Sequence, residues 1–294
     1  MIEVGATERA ESPRRRPAIG LVFPEQTTHV YGDPFFARLL QGIRAEMGET
    51  LALVLMIPYS ADESRLESYL TAGELEGVLL ASLHGADPLP ARLHGRGVPV
   101  VISGRPPVGA TVTYVDVDNE HGAQSAVRHL VEIGRRRIAT VAGPQDMPAG
   151  IDRLLGYRIA LEEAGLPPDP DLVAVGDFSP EGAARATGEL LQRRPDFDAL
   201  FAASDLMAAN AVVELKRAGR RIPDDVAVVG FDDSPLASAL VPALSSVRQP
   251  IEEMGREMVR LLREAIGPGV VAPRHVILDT ELVIRASSAR RRPT

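Results

Sequence analysis

From residue 18 onward the chain consists of short, uninterrupted apolar runs separated by stretches with helical spacing. The runs are AIGLVF (18–23), LALVLMI (51–57), GVLLAS (77–82), VPVVIS (98–103), IATVAG (138–143), LVAVG (172–176), ALFAAS (199–204) and DVAVVGF (225–231). Runs of this length without polar alternation suit parallel strands covered on both faces. Between them, Leu39, Leu40, Ile43 and Met47 repeat at helical spacing after Pro34. Asp62 is placed to cap the next helix, and Ser179 one over 180–192. Glycines 134, 165 and 219 stand where helices end. Strand–helix alternation at this rhythm predicts an α/β fold with helices on both faces of parallel sheets.

Two serial sets of such units predict two similar parallel-sheet lobes. A last helix (251–266) and closing strands near 276–284 follow both sets, so they return to complete the lobes. The lobes are expected to comprise 18–115 plus 248–278, and 116–247 plus 279–294, with a cleft between them. Residues 1–17 read as a flexible leader. Its triplet Arg14–Arg16 is either a solvated linker or part of a phosphate-contacting hinge.

Several classes of function are disfavoured by composition. The chain has no cysteine, so it can form neither a disulfide nor a thiolate metal site. A net charge of -8 argues against a surface that coats nucleic acid. No apolar run reaches the roughly 18 residues of a membrane span. The first 17 residues lack the apolar core of a secretory signal, so the expected location is cytoplasmic, with no membrane partner. There is no GxGxxG after a strand, no GxxxxGK[ST], no HExxH and no GxSxG. No cofactor, metal or catalytic residue is expected.

In open α/β sheets ligands bind outside the carboxyl ends of the strands, and the candidate site residues lie there. The stretch 228–250, VVGFDDSPLASALVPALSSVRQP, carries Asp232 and Asp233 at a strand end, then a Pro-rich loop and a short strand, 244–247. Asp232 can accept hydrogen bonds from a polyol or act as a loop carboxylate; Asp233 reads as a loop or capping acid. Arg153 is either a surface arginine or a fork for vicinal hydroxyls. Phe35, Phe36 and Phe178 are core aromatics or walls for the apolar face of a sugar. Asp118 and Asn119, and Ser204 and Asp205, are ambiguous between ligand contact and capping, with capping preferred for Asp205.

Taken together, DPFFARLLQGI (33–43), VDNEHGAQSAVRHLVEIGRRRIATVAGP (117–144), DRLLGYRIALEEAG (152–165), ASDLMAANAVVELKRAG (203–219), IPDDVAVVGFDDSPLA (222–237) and PALSSVRQP (242–250) make the chain resemble the effector-binding core of the LacI/GalR family of bacterial transcription regulators. The resemblance spans residues 18 to 285. It implies a periplasmic-binding-protein-like type I fold, with three crossovers near 113–118, 244–249 and 277–281. It also implies that Arg153 and Asp232 grip effector hydroxyls and that Phe178, Phe35 and Phe36 stack on the sugar. Gln249 matches a polar residue near the hinge. Ser204 departs from the family's usual Asn, which shortens one sugar contact.

The implied effector is a sugar, with disaccharides and oligosaccharides the class the resemblance points to. The implied assembly is a homodimer, with 62–72 and 87–95 as candidate faces. The family's helix-turn-helix domain is absent from these 294 residues, so DNA is expected to be a partner only through such a domain. The rival readings are a sugar transporter's solute-binding protein and a cleft hydrolase.

Overall fold

A computed structural model describes residues 17–24, 27–58, 63–106, 112–167, 169–267 and 272–289. Residues 1–16 of the expected 1–17 leader, and Asp62, lie outside the described residues. The first sheet contains β1 (Ala18–Val22), β2 (Ala52–Met56), β3 (Gly77–Ala81), β4 (Val100–Ser103), β5 (Thr113–Val117) and β11 (His275–Leu278), in the order β11-β5-β4-β3-β1-β2, all parallel. The second contains β6 (Ile138–Ala142), β7 (Val173–Val175), β8 (Ala199–Ala202), β9 (Ala227–Asp232), β10 (Ser245–Arg248) and β12 (Glu281–Val283), in the order β12-β10-β9-β8-β6-β7. Here only the edge strand β12 runs antiparallel to its neighbour. The chain changes sheet three times: at Asp118, at Gln249–Pro250, and at Asp279–Thr280.

The apolar runs are two-faced because successive side chains point to opposite sides of a strand. Leu79, Ala81 and Val101 pack under α2 (Pro34–Met47) and α10 (Ile251–Ile266), while Val78, Leu80 and Ile102 pack under α3 (Glu63–Leu70) and α4 (Leu89–Gly95). In the second lobe Ala199, Phe201, Val229 and Phe231 meet α5 (Asn119–Glu132) and α6 (Pro148–Glu163). Leu200, Ala202 and Val228 meet α7 (Pro180–Arg193) and α8 (Asp205–Arg217). Helices α5 and α6 are so close that a Cβ on Gly156 would lie 2.2 Å from the Glu120 carbonyl oxygen.

Local chemistry moves some boundaries away from the sequence reading. α6 begins at Pro148 rather than Asp152, because a proline at the first turn presets the helical φ and needs no N–H partner. The expected loop before Pro34 contains a short helix, α1 (Thr27–Gly32), and the Pro-rich loop contains α9 (Pro235–Ala239). Asp33 caps α2 by accepting from Phe35 N at 2.9 Å, and Ser179 caps α7 by accepting from Gly182 N.

Candidate functional site

A cavity of about 590 Å³ opens between the carboxyl ends of the two sheets. Its wall comes from both lobes. The first contributes Asp33, Phe35, Phe36, Ser103, Arg105 and Asp116; the second, Asn119, Met147, Arg153, Phe178, Ser204 and Asp232; and Gln249 sits at a crossover.

Arg153 is the centre of the polar wall. Its position in the second turn of α6 aims it inward, and it is 5 % exposed. Its Nε donates to Asn119 Oδ1 at 2.8 Å and its Nη1 to the Ala203 carbonyl at 2.6 Å. The guanidinium lies 3.7 Å from the centroid of Phe231 and, through Nη1, 3.7 Å from Asp232 Oδ1. A guanidinium has five N–H donors, so these contacts leave donors for a ligand. Burial pulls the Arg153 pKa down, and the carboxylates of Asp232 and Asp116 pull it back up.

Asp232 ends β9 with φ 115°. Gln249 Nε2 donates to its Oδ1 at 2.6 Å, and its main-chain carbonyl accepts from Arg38 Nη1 at 2.9 Å. Burial pushes the Asp232 carboxyl well above its ordinary pKa, against the opposing pull of Arg153. Among the described residues, the non-glycine residues with positive φ are Ser82, Phe178, Asp232 and Asp233, and all but Asp233 line the cavity. Strained backbone of this kind gathers at functional sites because the surrounding packing must hold it there. Phe178 (φ 62°) lies over the end of β6, where a Cβ on Gly143 would come within 2.5 Å of its ring, so only a glycine leaves room for that ring.

The structure therefore gathers Arg153, Asp232, Phe178, Phe35, Phe36, Ser204 and Gln249 around one cavity. Phe36 is largely core, packed edge-on against Phe23 with centroids 4.9 Å apart, and shows only part of its ring. Ser204 caps α8, accepting from Met207 N at 3.2 Å, while also reaching the wall. Asp118 is not in the wall: it caps α5, its Oδ1 accepting from His121 N at 2.9 Å.

The capping role expected of Asp205 is corrected, because its side chain is fully buried and turns away from the helix end. It accepts from Ser246 Oγ at 2.6 Å and from Ser234 N at 2.7 Å, tying α8 to the 234–246 stretch. Burial pushes its pKa up to about 6. Asp233 pairs with Arg248 and Arg285 at 2.8 and 2.6 Å.

Asp116 and Arg105 went unnoticed in the sequence. Asp116 Oδ1 accepts from Val117 N at 2.8 Å and Asn119 Nδ2 at 3.0 Å, and its Oδ2 accepts from Arg105 N at 2.9 Å. Burial raises its pKa. The available signal was an acid inside an otherwise apolar strand, TYVDV, since a buried carboxylate must have a reason to be there. Among the described residues no group of three or more His, Asp or Glu could hold a metal ion, and no helix is long and apolar enough to cross a membrane.

A family profile described as a periplasmic binding protein-like domain matches residues 127–288. The transcriptional regulator CelR of Thermobifida fusca is 47% identical over 279 residues, covering 93% of this chain and 82% of CelR. The chain belongs to the LacI family of transcriptional regulators. Within that family it is the effector-sensing core. A CelR–cellobiose complex superposes with a TM-score of 0.89 at 46% identity, covering 94% of this chain and 86% of the other. A putative LacI-type regulator from Bacillus cereus subsp. cytotoxis superposes at 0.88 with 26% identity, over 94% and 99% of the two chains. These relatives are regulators, which sets aside the reading as a transporter's binding protein.

Proposed function

We propose that the cleft binds a neutral disaccharide of the cellobiose type and that this binding switches the protein's action on DNA. The observation that carries the reading is the make-up of the wall. Five acids (Asp33, Asp116, Asp177, Glu181 and Asp232) face two arginines (Arg105 and Arg153) beside the rings of Phe35 and Phe178. An excess of carboxylates repels an anionic ligand such as a sugar phosphate and accepts hydrogen bonds from hydroxyl groups. The rings supply the apolar surface that a pyranose face packs on. The volume falls within the range of small-molecule sites, about 300–1,000 Å³. The likeness to CelR, solved with cellobiose, supports the same choice.

In this reading Arg153 and Asp232 hold hydroxyls of one sugar ring, Phe178 and Phe35 stack on the rings, and Gln249 orients Asp232. Asp118 acts only through the start of α5. The sugar leaves unchanged, the protein works as a homodimer in the cytoplasm, and α3 and α4 offer the dimer face. Sugar binding favours the closed arrangement of the lobes by its differential affinity for the two states.

The test is a thermal-shift and calorimetric screen of cellobiose, maltose, sucrose, glucose and glucose 6-phosphate. Cellobiose at 100 times its Kd should add about 2.7 kcal/mol of stability, and glucose 6-phosphate should add none. Stabilisation by the phosphate alone, or by no saccharide, would refute the proposal.

A further inference from the structure

We propose that the ion pair between Arg105 and Asp152 is a latch across the mouth of the cleft, and that Asp152 is a positioning residue that sets how long the effector stays bound. The inference rests on the reading of the cleft as a sugar site. Arg105 follows β4 of the first lobe and lines the cavity. Asp152 belongs to α6 of the second lobe and forms no part of the cavity wall. Arg105 Nη2 donates to both carboxylate oxygens of Asp152, at 2.7 and 2.8 Å.

The pair closes a ring of contacts with the sugar-gripping group. Arg105 N donates to Asp116, Asn119 Nδ2 donates to Asp116, Arg153 Nε donates to Asn119, and Arg153 follows Asp152 in the chain. Within this ring, the Asp116–Asn119 bond spans the first crossover, and the Arg105–Asp152 bonds join the first lobe to the second.

A second contact reinforces the same rim. Gly85 N donates to the Asp146 carbonyl at 2.8 Å, and His84 Nδ1 lies 3.0 Å from Asp146 Oδ2. The loops after β3 and β4 thus both engage residues 146–152. In the second sheet β6, which leads into that segment, lies three places from β10, where the chain crosses over. Lobes parting about the crossovers must break these rim contacts.

An exposed ion pair contributes little, because water screens it. This pair differs in that the Asp152 side chain is only 18% exposed, although that of Arg105 is 45% exposed. It holds the shut arrangement, which the sugar-free protein also samples and the bound sugar favours, so its loss acts mainly on release rather than on encounter.

The chain has no cysteine, so two introduced thiols can be labelled uniquely. Donor and acceptor dyes at Ala45→Cys in α2, away from the proposed dimer face, and Glu189→Cys in α7, both exposed, report lobe separation. Cellobiose binding and release are followed by stopped-flow energy transfer in the wild type, D152A, D152N, D152E, R105A and R105A/D152A. Release from D152A should accelerate by about three- to tenfold, with association changed by less than about twofold. D152A should add nothing in the R105A background, and D152E should restore part of the effect. Urea midpoints of the sugar-free proteins should agree; if D152A is destabilised, the isosteric D152N serves as the measured variant.

Wild-type release rates in the Asp152 variants, or effects of R105A and D152A that simply add, would overturn the latch. If no saccharide changes the wild-type signal, the sugar reading fails by itself. The latch is then judged on the sugar-free distance distribution, which should broaden toward larger separation in D152A; identical distributions would overturn it.

Discussion

Arg153→Lys separates charge from geometry at the centre of the site. The guanidinium bridges Asn119 Oδ1 and the Ala203 carbonyl with two different nitrogens. A lysine ammonium can reach one of these acceptors but not both, which leaves a buried acceptor unpaired at a cost of ~1–3 kcal/mol. The cation–π contact with Phe231, 3.7 Å from the ring centroid, is lost as well, worth ~1 kcal/mol. Burial already lowers the Arg153 pKa, and a lysine there starts from a lower intrinsic value, so it surrenders its charge more readily. Folding stability should therefore fall by about 2–4 kcal/mol. Cellobiose affinity should fall by about 10- to 100-fold, the loss of one charge-assisted contact pair. Urea denaturation and titration calorimetry on the same preparations give both numbers. If R153K loses stability yet binds cellobiose within about twofold of the wild type, Arg153 is a scaffold for Asn119 and Ala203 and not a ligand contact.

Other outcomes follow from the same geometry. Phe178→Ala should weaken cellobiose binding by about tenfold or more, because the ring surface for the sugar is lost while the alanine Cβ leaves the left-handed backbone as strained as before; unchanged affinity in calorimetry would remove Phe178 from the site. Asp205, with its carboxyl pushed up to about 6 by burial, binds more protons in the folded state than in the unfolded state between pH 4 and 6. Its contribution is therefore most favourable below the unfolded pKa and is lost as pH rises through about 6. Urea midpoints measured from pH 4.5 to 7 should show a shallower decline in D205N than in the wild type, and equal slopes would refute the assignment. Gly156→Ala places a methyl 2.2 Å from the Glu120 carbonyl. It should force α5 and α6 apart and cost about 1–3 kcal/mol, visible as a lower urea midpoint; a neutral result would mean that the two helices have slack.

What the sequence determined by itself was local, or rested on repetition of local patterns. Apolar runs such as GVLLAS specify strands covered on both faces, because every side chain in them needs a dry neighbour. Asp33 before Pro34 and Ser179 before Pro180 specify helix starts, because a short polar side chain there can accept from the first free N–H groups. The family resemblance singled out Arg153, in the second turn of α6, and Asp232, at the end of β9, and both line the cavity. The sequence could not say which of two adjacent polar residues turns inward. At Asp118–Asn119, Asp118 is taken by the α5 cap and Asn119 faces the cavity; at Ser204–Asp205, the serine caps α8 and the aspartate is buried among Ser234 and Ser246. Each choice depends on donors brought from distant parts of the chain. The same holds for Arg105 and Asp152, and for Gly143 and Phe178. Arg105 and Asp152 meet because the crossovers bring the carboxyl ends of the two sheets together, and Gly143 and Phe178 because β6 and β7 pair side by side; neither proximity is encoded by local spacing.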